Sequence, residues 1–94
     1  MLFAVHCLDK PNSEAIRAAN RPSHLDHVTA HQGQILTAGP LFTEDGEKMI
    51  GSLLILDFAS REELDRFLEE DPYAKAGLFA KVDVRPYRAA FPKK

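Results

Sequence analysis

Three of the four histidines in this 94-residue chain, His24, His27 and His31, crowd into one stretch, NRPSHLDHVTAH at residues 20–31. At about 100° per residue in a helix, His24 and His31 fall within roughly 20° of one another and His27 within about 60° of His24, so all three share a face. His27 and His31 stand at i,i+4, the spacing at which two helical imidazoles grip zinc. A zinc site also needs a third and a fourth ligand. Asp26 points away from that face and no Cys or Glu stands at motif spacing, so no metal is expected. His27 and His31 are read as solvated or partly buried neighbours without a role. His24 differs because it follows Arg21-Pro22. A helix that restarts at Pro22 would place His24 in its first turn, where free backbone N–H groups favour an anion. A neutral imidazole there is a competent general base near pH 7.

The remaining chemical candidates are few. Asp71 precedes Pro72, the usual arrangement of a helix N-cap, and capping alone would account for it. Arg21 has the chemistry to hold a carboxylate or a phenolate. Ser52 lies among apolar residues and suits a pocket wall, but no G-x-S-x-G elbow marks it as a nucleophile. Cys7, in an apolar run, reads as packing. No glycine-rich phosphate loop is present, and the terminal Lys93-Lys94 pair is too short to imply nucleic acid.

The elements that must position these residues follow from pattern. LFAVHCL (2–8) is an apolar run closed by the turn-rich DKPN and reads as a strand. Residues 13–32 lack glycine and end at Gly33, which reads as a helix, with a kink or restart expected near Asn20–Arg21 because Pro22 removes a backbone donor. QILTAG (34–39) is a second strand closed by Gly39-Pro40; FTEDGEKM (42–49) is a loop with an Asp45-Gly46 turn; IGSLLILDF (50–58) is a third strand. SREELDRFLEE (60–70) opens with a capping box, Ser60 and Glu63, and buries Leu64, Phe67 and Leu68. DPYAKAG (71–77) is a break with a short turn or helix, and FAKVDVRPY (79–87) is the fourth strand. The order β-α-β-β-α-β specifies an α+β, ferredoxin-like fold: a four-stranded antiparallel sheet with both helices on one face.

Strand faces extend that expectation. In the fourth strand Ala80, Val82 and Val84 alternate with Lys81, Asp83 and Arg85, which reads as an edge with one dry and one wet face. The first and third strands are apolar on both sides: Phe3, Val5 and Cys7 against Leu2, Ala4 and Leu8, and Leu54 and Leu56 against Leu53 and Ile55. In the ferredoxin-like order these two are central. Two helices cover one face only, so the other is expected to be buried in a homodimer.

Bulk properties set the outer limits. Ninety-four residues are expected to make a single domain, 1–94. A net charge of −2 gives no pull toward nucleic acid or an anionic membrane. No run of about 18 apolar residues is present to span a bilayer. MLFAVHCLDK lacks the basic start and small-residue cleavage site of a signal peptide. One cysteine cannot form an internal disulfide, and the expected location is the cytoplasm.

Taken together, RPSHLDHV (21–28), LTAGPL (36–41) and DPYAKAGLF (71–79), with GSLLIL before the second helix, resemble the YciI-like (YCII-related) family of small bacterial proteins, over Leu2 to about Phe91. The resemblance implies a dimeric α+β barrel. It implies an active site that pairs the histidine of RPxHL with the aspartate of DPY, here His24 and Asp71. Arg21, Gly39, Pro40, Ser52 and Tyr73 match motif positions near the implied pocket. The resemblance also implies lyase or isomerase chemistry, including loss of hydrogen chloride from a chlorinated hydroxyaromatic, without a cofactor. Asp71 would accept a hydrogen bond from His24, fixing its tautomer, and the other imidazole nitrogen would take the substrate proton. Against this enzyme reading stand a non-catalytic small-molecule-binding or regulatory module that keeps the pocket, and a helix-borne metal site.

Overall fold

A computed structural model describes residues 1–93 of the chain. Four strands, β1 (Leu2–Asp9), β2 (Ile35–Phe42), β3 (Met49–Asp57) and β4 (Phe79–Tyr87), form one sheet in the order β2-β3-β1-β4. Every pairing is antiparallel. The helices α1 (Glu14–Ala30), α2 (Arg61–Glu70) and α3 (Pro72–Lys75) complete the β-α-β-β-α-β plan, with a short 3-10 turn at Gln32–Gln34. No helix among the described residues is long and apolar enough to cross a membrane.

The core lies between the helices and one sheet face. Phe3, Val5 and Cys7 of β1 and Leu54 and Leu56 of β3 meet Leu64 and Phe67 of α2, with Phe58 and Val84 closing the cluster. α2 starts as its capping box specifies: the Ser60 side chain accepts the Glu63 N–H, and Glu62 and Glu63 place negative charge in the first turn. The β2–β3 loop turns at Gly46, whose φ of +76° suits glycine. Gly51 has a different reason to be glycine: a Cβ there would collide with the Cys7 carbonyl across the β1–β3 ladder.

Three local expectations are corrected. α1 does not restart at Pro22; it runs unbroken through it. A mid-helix proline costs about 3 kcal/mol, and tertiary anchors on both sides oppose a break: Arg17 is bonded to Asp9 and His27 to Phe67. β2 does not stop at Gly39-Pro40 but continues to Phe42, with Pro40 opposite Ser52. It is an edge strand, where a proline removes no ladder bond that the sheet needs. β4 is less dry than its alternation implied: Val84 is buried, but Ala80 and Val82 are exposed at the open edge.

The opposite sheet face has no helix. It carries Leu2, Ala4, His6 and Leu8 of β1, in register with Asp57, Ile55, Leu53 and Gly51 of β3. Leu36, Leu53, Leu8 and Tyr87 are exposed. Residues 89–93 lie beside Ile55 and bound a broad hollow with Leu36 and Tyr87.

Candidate active site

α1 presents Arg17, Arg21, His24 and Val28 at intervals of four, three and four residues, one stripe of a helix facing the sheet. Opposite stand Ala38, Gly39 and Pro40 of β2 and Ser52 and Leu54 of β3. With Leu25 they enclose a cavity of about 170 Å³. A cavity of roughly 150 Å³ takes one benzene-sized ring. Of the residues expected at the site, Arg21, His24, Gly39, Pro40 and Ser52 line this space, and Asp71 and Tyr73 stand behind His24.

α3 brings Asp71 to His24. Pro72 occupies the first turn of α3, and Asp71 caps it by accepting the Tyr73 N–H at 2.9 Å. The same carboxylate faces His24 Nδ1, at 2.9 Å from Oδ1 and 3.1 Å from Oδ2. Capping and pairing are therefore both present, not alternatives. Because a carboxylate can only accept, Nδ1 carries the hydrogen and Nε2 is left unprotonated in the neutral ring. The His24 side chain is 13% exposed and that of Asp71 6%, so water competes little with their bond. Tyr73, fully buried, stacks on the imidazole with ring centres 4.0 Å apart and planes 15° apart. His24 lies within α1, not at a helix start, so its setting comes from Asp71 and Tyr73 and not from free backbone donors.

Two site residues escaped the sequence reading. Arg17 Nε and Nη2 donate to Asp9 at 2.7 and 2.9 Å, and Nη2 also donates to Ser52 Oγ at 3.1 Å. Both charged side chains are nearly inaccessible to water. Burial opposes the charge of Arg17, but the Asp9 hydrogen bonds and charge outweigh it and push the guanidinium above its ordinary range. Its carbon sits 4.6 Å from the Tyr73 ring centre, so Tyr73 is held between Arg17 and His24. The available signal was spacing: Arg17 precedes Arg21 by four residues and His24 by seven, on one helical stripe. Arg21 has no carboxylate partner among the described residues; it reaches Met49 Sδ at 3.6 Å.

His27 and His31 do have work in the fold. His27 Nε2 donates to the Phe67 carbonyl at 2.9 Å and its ring stacks on that phenyl; His31 Nδ1 donates to the His27 carbonyl at 2.8 Å. Both rings also pack against Phe67 of α2, so the pair fastens α1 to α2. No group of three or more His, Cys, Asp or Glu suited to a metal occurs among the described residues.

The chain is similar to several known proteins over most of its length. Residues 1–88 match the YCII-related domain. Protein YciI of Escherichia coli is 33% identical over 98 residues, which covers 97% of this chain and all of that one. An uncharacterized protein of Haemophilus influenzae is 32% identical over the same span. Among solved structures, 5-chloro-2-hydroxyhydroquinone dehydrochlorinase (TftG) from Burkholderia phenoliruptrix, in complex with 2,5-dihydroxybenzoquinone, superposes with a TM-score of 0.87 at 35% identity over 94% of each chain. SnoaB, a cofactor-independent oxygenase from Streptomyces nogalater, shares the fold at 12% identity, with a TM-score of 0.63 over 98% of this chain and 97% of that one. The class expected from the sequence, the α+β ferredoxin-like fold of the dimeric α+β barrels, is borne out.

Proposed function

The chain belongs to the YCII-related domain family, and on that premise we propose that it is a small enzyme that moves a proton on a one-ring organic molecule, with His24 as general base and Asp71 as its orienting partner. The observation that carries this reading is the contact of His24 Nδ1 with both oxygens of Asp71, at 2.9 and 3.1 Å, beside a cavity that His24 itself lines. Nε2 takes a proton from a C–H or O–H of the bound molecule, and Asp71 stabilises the imidazolium. If the neighbouring carbon carries chlorine, the C–H pair becomes a C=C bond and chloride leaves with the pair of its own bond. If it carries no leaving group, the proton returns at another carbon and the product is an isomer. The two side chains supply this acid–base chemistry, so the scheme calls on no cofactor. Arg21, Ser52 and the backbone at Gly39-Pro40 hold the substrate, Tyr73 steadies the imidazole, and residues 1–94 act as one domain that pairs with a second copy through the helix-free sheet face.

The dehydrochlorinase among the neighbours makes 5-chloro-2-hydroxyhydroquinone the first substrate to assay, read as chloride release. His24→Gln and Asp71→Asn are expected to lose about 10²–10⁴-fold in kcat/KM. Proton–nitrogen correlation of the histidine side chains supplies a readout independent of turnover: His24 should carry its hydrogen on Nδ1. A hydrogen on Nε2 with Nδ1 bare would refute the pairing, whereas the expected tautomer with tight binding and no conversion across a panel of hydroxyaromatics would leave a binding module.

A further inference from the structure

Ser52 is polarised in one direction by its neighbours. Arg17 can only donate, so the Ser52 oxygen accepts from Nη2 at 3.1 Å and the hydroxyl hydrogen must point elsewhere. No acceptor for that hydrogen occurs among the described residues, although Ser52 is 6% exposed and lines the cavity. Asp9 fixes the geometry by gripping Arg17 through Nε and Nη2, so the guanidinium cannot turn away. Asp9 also neutralises Arg17. The uncompensated cation on the cavity wall is then Arg21, and no Asp or Glu lines the space. Leu25, Val28, Ala38 and Leu54 make the rest largely apolar.

We propose that Ser52 is the hydrogen-bond donor that reads the ligand, that Arg17 held by Asp9 is the positioning residue that sets its direction, and that the ligand class is a one-ring phenolate or enolate whose anionic oxygen meets Ser52 and Arg21. A buried donor without an acceptor selects for oxygen, because a ligand lacking it leaves the donor unpaired. The free guanidinium selects for charge. The apolar walls favour an anion whose charge spreads into a ring over a carboxylate, whose concentrated charge is costlier to desolvate. This rests on reading the cavity as the ligand site, but not on catalysis by His24.

The test uses 4-nitrophenol, one ring in size, whose phenolate is coloured and whose phenol is not, with the full-length chain near the pH of half ionisation. Binding is expected to raise the coloured fraction. Ser52→Ala should weaken phenolate binding about tenfold or more and change binding of nitrobenzene, which lacks the oxygen, less than twofold; a merely structural role would weaken both alike. Asp9→Leu/Arg17→Met removes both buried charges together, so neither is left alone. It should keep its melting temperature within a few degrees and lose the phenolate preference as Ser52→Ala does. His24→Gln should retain the preference. The proposal is overturned if bound 4-nitrophenol is colourless, if it does not bind at millimolar concentration, if Ser52→Ala keeps the preference, or if only His24→Gln loses it. None of these outcomes bears on the His24 tautomer, which tests the dyad separately.

Discussion

Tyr73 shows how closely single residues are set around this site. Its ring is wedged between an imidazole and a guanidinium, and its hydroxyl is the one buried side-chain polar atom without a hydrogen-bond partner among the described residues. An unmade buried hydrogen bond costs about 1–3 kcal/mol, so Tyr73→Phe should raise stability by about 1 kcal/mol while leaving the stack and the His24 tautomer unchanged. A fall in stability under urea denaturation would show that the hydroxyl is bonded in solution. Asp9 makes the opposite case. Asp9→Ala leaves a guanidinium buried and alone, and a loss of about 3–5 kcal/mol is expected. Cys7 provides a pH test. Burial pushes its thiol up to about 12, with the charges of Asp71 and Asp9 adding and Arg17 opposing. The folded value lies above the ordinary 9.0, so the thiol's contribution is intact below pH 9.0 and declines as pH rises toward 12. The slope should reach up to about 1.4 kcal/mol per pH unit. The stability gap between the wild type and Cys7→Ala should be constant below pH 9.0 and shift against the wild type above it; a gap that shifts in that sense around neutral pH would contradict a buried neutral thiol.

Elements were more legible than the contacts between them. Ser60 and Glu63 announced α2, and the cap is present as written; Ser60→Ala should cost about 1 kcal/mol without changing ligand affinity, since α2 does not line the cavity. Asp71-Pro72 likewise announced α3. Such signals are local: they depend on residues two or three apart. Pro22 was misleading for the complementary reason. Its penalty is local, but the bonds that anchor α1 on both sides of it, Arg17 to Asp9 and His27 to Phe67, reach 8 and 40 residues along the chain. The same divide runs through the site. His24 and Asp71 carried recognisable neighbours, Arg21-Pro22 and Pro72-Tyr73. Arg17 and Asp9 carry none, and they qualify only because β1 ends where the first turns of α1 pass over Ser52. A buried arginine looks in sequence like any helical surface arginine until its carboxylate is located.

At the scale of the whole molecule the unanswered surface is the helix-free sheet face. Leu53 is 43% exposed, Leu8 40% and Leu36 60%, on a sheet whose other face holds the core. Burying a leucine side chain fully is worth about 1.5–3 kcal/mol, and a two-fold dimer presents each of these residues twice. The sheet-to-sheet pairing proposed above would therefore remove several leucines per interface from water and leave the helix side, with its cavity, open to ligand. Leu53 lies opposite His6 in the β1–β3 register and near the middle of the face, so Leu53→Asp places two carboxylates at the centre of the interface, while Leu53→Met keeps volume and polarity. Light scattering at micromolar concentration should give twice the chain mass for the wild type and for Leu53→Met, and the single chain mass for Leu53→Asp. A wild-type protein that scatters as one chain would refute the dimer and would require another cover for the face. If Leu53→Asp remains a dimer, the interface lies elsewhere and the helix-free face is not its seat. Because Leu53 lies across the sheet from Ser52 and Leu54, the monomeric variant should still bind 4-nitrophenolate, provided the cavity belongs to one chain alone.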